Sequence, residues 1–159
     1  MKIAEADRSG VRVFPPLVFL GAGVIALVTH RFYPLHILPL ARAAPLRIFG
    51  VLLAVADVSL AIWAVATFRR IGTTANPAGG TTALVSEGPY RFSRNPMYLG
   101  LVLLTTGVAL AFDSLWPLLL LPFVVLLVRE NVILPEERYL ESKFGQPYRD
   151  YKARVRRWI

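Results

Sequence analysis

Cysteine is absent from the 159 residues. Disulfides, thiolate metal sites and cysteine nucleophiles are therefore excluded. Histidine is scarce: His30 and His36 are the two in the chain, and neither falls in a carboxylate pattern that would hold a metal. Charge is thin, at 18% Asp, Glu, Lys and Arg, and acid is the scarcer sign, with 10 residues against 18 basic ones. A net charge of +8 on so few, clustered residues suits a membrane surface or an anionic small molecule better than nucleic acid. No aromatic-basic RNA motif or recognition helix is present. The opening MKIAEADRSGVR lacks the small-residue cleavage pattern of a signal peptide. Neither an internal repeat nor a separate soluble domain stands out. A single domain is expected over 1–159, with two membrane helices in 1–68 and the working core in 69–159.

What the chain has is apolar residues, 55% of the total, in long runs. The reading is an all-α integral membrane protein with about four transmembrane helices. They lie roughly at Phe14–Thr29, Leu46–Phe68, Met97–Phe112 and Leu115–Leu134. The third is short for a full span. Asp113-Ser114 alone separates it from the fourth, which predicts a tight helical hairpin. Tyr33–Pro45 is broken by proline and is expected to lie along the interface. With both termini on one side, 15 of the 18 basic residues share that side, and Arg31, Arg42 and Arg47 lie opposite. The positive-inside rule makes the populated side cytoplasmic. A prokaryotic cytoplasmic membrane is the expected location.

Two polar stretches fall on that face. In the first, EGPYRFSRNPMYLG (Glu87–Gly100), Asn95-Pro96 reads as a helix start. Free N–H groups, with Arg91 and Arg94 just before them, would make an anion site; a plain helix cap with lipid-facing arginines fits the local sequence as well. The second, from Pro135 to Ile159, carries Glu136 and Glu137 in the first turn of a helix that Gly145 can end. Pro147 can start another, with Tyr148, Tyr151 and Val155 on one face. By itself this tail also reads as an interfacial amphipathic pair on anionic lipid. Asp57 lies mid-span, where an acid is costly; protonation or a bond to Ser59, Thr105 or Thr106 would accommodate it.

Taken together, Gly88, Tyr90, Arg94, Asn95, Pro96, Tyr98 and Gly100, followed by Glu136, Glu137, Phe144, Gly145, Tyr148 and Tyr151, resemble a known pattern. It is that of the isoprenylcysteine carboxyl methyltransferase and phospholipid methyltransferase superfamily, over about Arg69–Trp158. Gly72–Pro77 (GTTANP) also looks like bacterial members. The resemblance implies an S-adenosylmethionine-dependent methyltransferase, with S-adenosylhomocysteine as product. The donor would be bound at the cytoplasmic helix ends and closed over by the helical tail.

The implied cofactor residues are Tyr90, Arg94, Asn95, Pro96, Tyr98, Gly100, Glu136, Glu137, Tyr148 and Tyr151. Arg94 and the helix start suit the donor's carboxylate, and Glu136 or Glu137 its ammonium or ribose hydroxyls. Tyr90, Tyr98 and Tyr148 suit its adenine or sulfonium, and Gly100 permits a close approach. The acceptor would be lipophilic and come from the bilayer; no protein partner and no metal are implied. A phospholipid amine needs a base, with Glu130 or Glu136 as candidates. An isoprenoid-linked carboxylate wants a cation such as Arg129, and a small thiol is the third option. The carboxyl-methylating branch carries an Arg where this chain has Val132, so the chain departs from that branch there. The rival reading is a non-enzymatic membrane module whose basic tail binds anionic lipid.

Overall fold

The computed structural model describes residues 13–38, 43–73 and 82–159. The N-terminal dodecapeptide, most of the GTTANP motif and residues 39–42 of the proline-broken segment lie outside the described residues. Six α-helices are described: α1 Pro15–Phe32, α2 Ala43–Ile71, α3 Pro96–Ala111, α4 Trp116–Val128, α5 Leu134–Phe144 and α6 Gln146–Arg154. A 3₁₀ turn (Gly88–Arg91) precedes α3, and a π-helical turn (Arg129–Ile133) joins α4 to α5. No strand occurs among the described residues.

Three stretches are long and apolar enough to cross a bilayer: Pro15–Phe32, Ala44–Ile71 and the continuous Trp116–Phe144. They are inside-out relative to a soluble core. Leu17, Leu20, Ile25, Ile48, Val55, Ile62, Phe123 and Leu126 all stand exposed, as lipid-facing residues do. At 16 residues, α3 measures about 24 Å at ~1.5 Å per residue, the short helix its sequence suggests. The π turn has a local cause. Pro135 has no N–H to give the carbonyl four residues back, and its ring crowds that carbonyl, so the preceding turn widens.

The chain forms two compact units. One holds 14–59 and 98–128: α1, most of α2 and α3, and α4. Here α2 and α3 meet backbone to backbone. A Cβ on Gly50 would fall 2.5 Å from Gly107 O, and one on Gly107 would fall 2.6 Å from Gly50 O. Only glycine permits this approach, the small-residue contact by which membrane helices pack. Beside the seam lies an apolar cleft of about 420 Å³, lined by Val51, Ala54, Val58 and Phe112 among others.

This unit is also fastened at the hairpin Asp113-Ser114. Asp113, in left-handed backbone (φ 49), accepts from Ile37 N (3.0 Å) and Leu38 N (3.2 Å). Its second carboxylate oxygen lies 3.1 Å from His36 Nδ1. Leu115 N donates to Leu35 O, and Trp116 Nε1 to Tyr33 O. Residues 33–38 are therefore clasped onto the hairpin turn.

The second unit holds 60–97 and 129–159. Ala64 and Phe68 of α2 pack with Val85, Tyr90 and Met97 into its apolar core. Phe68 and Tyr90 meet edge to face at 5.2 Å.

Candidate functional site

The 3₁₀ turn at Gly88–Arg91 buries Tyr90 and exposes Arg91, whose guanidinium lies 4.5 Å over the Phe92 ring. Of the two arginines expected at the mouth of α3, Arg94 alone turns inward; its side chain is 10% exposed. Glu137, in the first turn of α5, is equally buried, and Arg94 Nη1 lies 3.1 Å from its Oε1. Both Glu137 oxygens are taken by one fork: Arg157 Nε and Nη2 each donate at 2.8 Å. Arg94 Nε and Nη1 are buried without a hydrogen-bond partner among the described residues, because the approach to Glu137 lacks bonding geometry. A buried donor nitrogen without an aligned bond is costly, by about 1–3 kcal/mol. Such a group in a native site calls for an explanation.

Three phenols complete the cluster. Tyr148 is 1% exposed and lies 6.2 Å from Tyr151, ring centre to ring centre. Tyr151 Oη donates to Tyr90 O at 2.7 Å, which ties α6 to the turn before α3. Burial and the Glu137 charge push the Tyr148 hydroxyl up to about 12, with Arg94 pulling the other way. Burial also raises Tyr90, helped by Glu136, and Tyr151, helped by Tyr148. All three stay neutral at physiological pH. Hydrogen bonding to Glu137 outweighs desolvation and raises Arg157.

The chain after α6 is extended at Val155 (φ −117, ψ 127) and runs beside the segment before α3. Arg94 N donates to Arg156 O (3.0 Å), while Ser93 Oγ and Asn95 Nδ2 converge on Arg157 O (3.2 and 3.0 Å). Asn95 thus holds the tail as well as preceding α3, and Pro96 is buried at its first position.

The structure therefore gathers Tyr90, Arg94, Asn95, Glu137, Tyr148 and Tyr151 into one cluster. Glu136, half-buried, lies close enough to raise both Tyr90 and Tyr148. Arg129 and Glu130 stand in the π turn, ion-paired with each other and partly exposed. Tyr98 is half-buried in the first turn of α3. The space beside Gly100 is occupied by the Asp57 carboxylate, which an added Cβ would strike. Gly100 thus leaves room for a side chain of α2. The hydroxyls considered as partners for Asp57 bond instead to their own helices: Ser59 to Val55 O, Thr105 to Leu101 O, Thr106 to Val102 O. Sequence reasoning missed Arg157 and Ser93. The one available signal was the RVRR run that starts at the last residue of α6, which reads equally well as a lipid-facing cluster.

Comparisons with known proteins agree with the motifs. The family model described as phospholipid methyltransferase matches residues 46–147. An uncharacterized protein of Haemophilus influenzae is 41% identical over 63 residues, 40% of this chain and all of that one. The protein-S-isoprenylcysteine O-methyltransferase of Schizosaccharomyces pombe is 32% identical over 72 residues, 45% of this chain and 30% of that one. No solved structure matches.

Proposed function

The chain belongs to the phospholipid methyltransferase family, and from that premise we propose that it transfers a methyl group from S-adenosylmethionine to a lipophilic acceptor in the bilayer. One observation carries the reading: Arg94 keeps two buried nitrogens without an aligned hydrogen bond, in a cluster of neutral phenols and a carboxylate held by Arg157. A planar fork of that kind is built for a carboxylate, and the donor's amino-acid end supplies one. Tyr148 and Tyr90 offer π faces for its adenine or its sulfonium. Glu136 is our candidate for the ammonium or the ribose, since Arg157 occupies both oxygens of Glu137. When bound, S-adenosylmethionine supplies an activated methyl group on a cationic sulfur. The protein's share is to orient, to exclude water and to take up a proton where the acceptor loses one.

The acceptor we favour is a phospholipid amine. The position where a carboxylate acceptor would find its cation holds fully buried Val132, and Arg129 is neutralised by Glu130. The partly exposed Glu130 and the half-buried Glu136 are the candidate bases. In this reading α3 and α4 are the third and fourth of four spans, and both termini and the site face the cytoplasm. The basic-module alternative accounts for the exposed Arg69, Arg70, Arg149 and Arg154, but gives no reason to bury Arg94.

The test is titration of detergent-purified protein with S-adenosylhomocysteine. Wild type is expected to bind, and Arg94→Ala to bind about 10- to 100-fold more weakly, the worth of a hydrogen bond to a charged group. Absence of binding by wild type would sink the enzyme reading. Incubation with labelled donor and membrane extract then reads the acceptor: a base-stable lipid product supports the amine, and a base-labile ester refutes it.

A further inference from the structure

Glu137 has two suitors, and they are treated unequally. Arg157 reaches it with two bonds of 2.8 Å, while Arg94 lies 3.1 Å away from one oxygen and makes no well-aligned bond. Were Arg157 absent, Arg94 would have every reason to turn. Its Nε and Nη1 are buried without an aligned hydrogen bond, Glu137 is adjacent, and a bidentate pair would supply both. Arg157 is held in place independently of Glu137, because its own carbonyl collects Ser93 Oγ and Asn95 Nδ2, and Arg94 N holds the carbonyl before it. The same backbone clip that carries Arg157 also carries Arg94.

We propose that Arg157 is a positioning residue that saturates Glu137 and so keeps the donor groups of Arg94 free for the cofactor's carboxylate. The role rests on the methyltransferase reading given above. It predicts a specific interdependence. Without Arg157, Arg94 turns its poorly aligned ion pair with Glu137 into a bidentate one and is lost to the ligand. Removing Arg157 therefore weakens ligand binding through Arg94 and through no other route.

The experiment is a double-mutant cycle on S-adenosylhomocysteine affinity, with wild type, Arg94→Ala, Arg157→Ala and the double variant in detergent. Arg154→Ala serves as the control, removing an equal charge from an exposed tail position. Arg157→Ala is expected to bind about tenfold more weakly than wild type. In the Arg94→Ala background the same change is expected to have little further effect. Arg154→Ala should bind as wild type, and guanidinium ion at millimolar concentration should restore Arg157→Ala alone.

Additive losses from the two changes overturn the positioning role, as does Arg157→Ala binding like wild type. So does an equal loss in Arg154→Ala, which would mark a general effect of tail charge. Should Arg157→Ala show no cooperative melt, Arg157→Lys takes its place in the cycle. A lysine keeps the charge but cannot fill both oxygens as a planar fork, so it must show the same dependence on Arg94, and additivity there overturns the proposal. Failure of wild type to bind overturns the methyltransferase reading together with this one. Binding by wild type with an additive cycle overturns this one alone.

Discussion

Tyr148, Tyr151 and Tyr90 are three of the six tyrosines in the chain, and all are buried beside charge. Burial, then the neighbouring carboxylates, raise their hydroxyl pKa values, with Tyr148 at about 12. Folding is favoured by a raised group only while it stays protonated. Its contribution is complete below the unfolded value, roughly pH 10, and is lost as pH rises through the folded one. Phenolate absorbance in an alkaline titration should accordingly show an early phase from accessible tyrosines. A late phase should coincide with unfolding, and Tyr148→Phe should shrink the late phase alone. Gly100 makes a second prediction at this scale. Gly100→Val drives a side chain into the Asp57 carboxylate and should destabilise by about 1–3 kcal/mol, as overpacking does. In Asp57→Ala the same valine should be tolerated better, which a thermal-melt cycle measures.

Between elements, the α2–α3 seam and the hairpin clasp bear the weight. A branched residue at Gly50 or Gly107 meets main-chain atoms, which cannot rotate aside as a side-chain end can. Gly107→Val is expected to lower the melting temperature in detergent, whereas Gly21→Val, with open space around it, should not. At the hairpin, burial works to raise Asp113, but the N–H groups of Leu38 and Ile37 and the His36 ring hold it below the usual carboxylate range. A depressed carboxylate gives stability that is present above its unfolded pKa and lost as pH falls through the folded one. Acid below about pH 4 should therefore release residues 33–38 before the helices melt. Hydrogen exchange at Ile37 and Leu38 reports it, and Asp113→Asn, which keeps the left-handed turn, should abolish the pH step. The sequence made Asp113-Ser114 legible as a tight turn because two polar residues interrupt a long apolar run. It did not reveal the clasp, since the partners lie some 75 residues upstream in a proline-broken stretch without periodicity.

Over the whole molecule, hydropathy and motif spacing carried much of the reading. The apolar runs located the helices to within a few residues, since bilayer burial leaves few ways to satisfy a backbone. Glu137 and Arg94 were legible because their neighbours, Pro96, Gly145 and Tyr148, fix helix ends and faces. Arg157 was not, because beyond Arg154 the chain leaves the helix and no period predicts where a side chain points. Topology is the corresponding prediction. The absence of cysteine lets each single introduced one act as a clean reporter. In intact cells a membrane-impermeant maleimide should label Tyr33→Cys, an exposed position, from outside and spare Arg154→Cys. The reverse pattern would invert the proposed orientation.

The clip between residues 93–95 and 156–157 joins positions more than 60 apart in the chain. Synthesis runs in one direction, so Arg94 and Glu137 are already made while their shared partner is not. A nascent chain halted before residue 157 would hold both charges without the fork that separates their roles. Assembly of the cluster thus waits for residues 156–157, which are made after α1 to α6. Ligand competence should therefore appear abruptly with chain length rather than build up helix by helix.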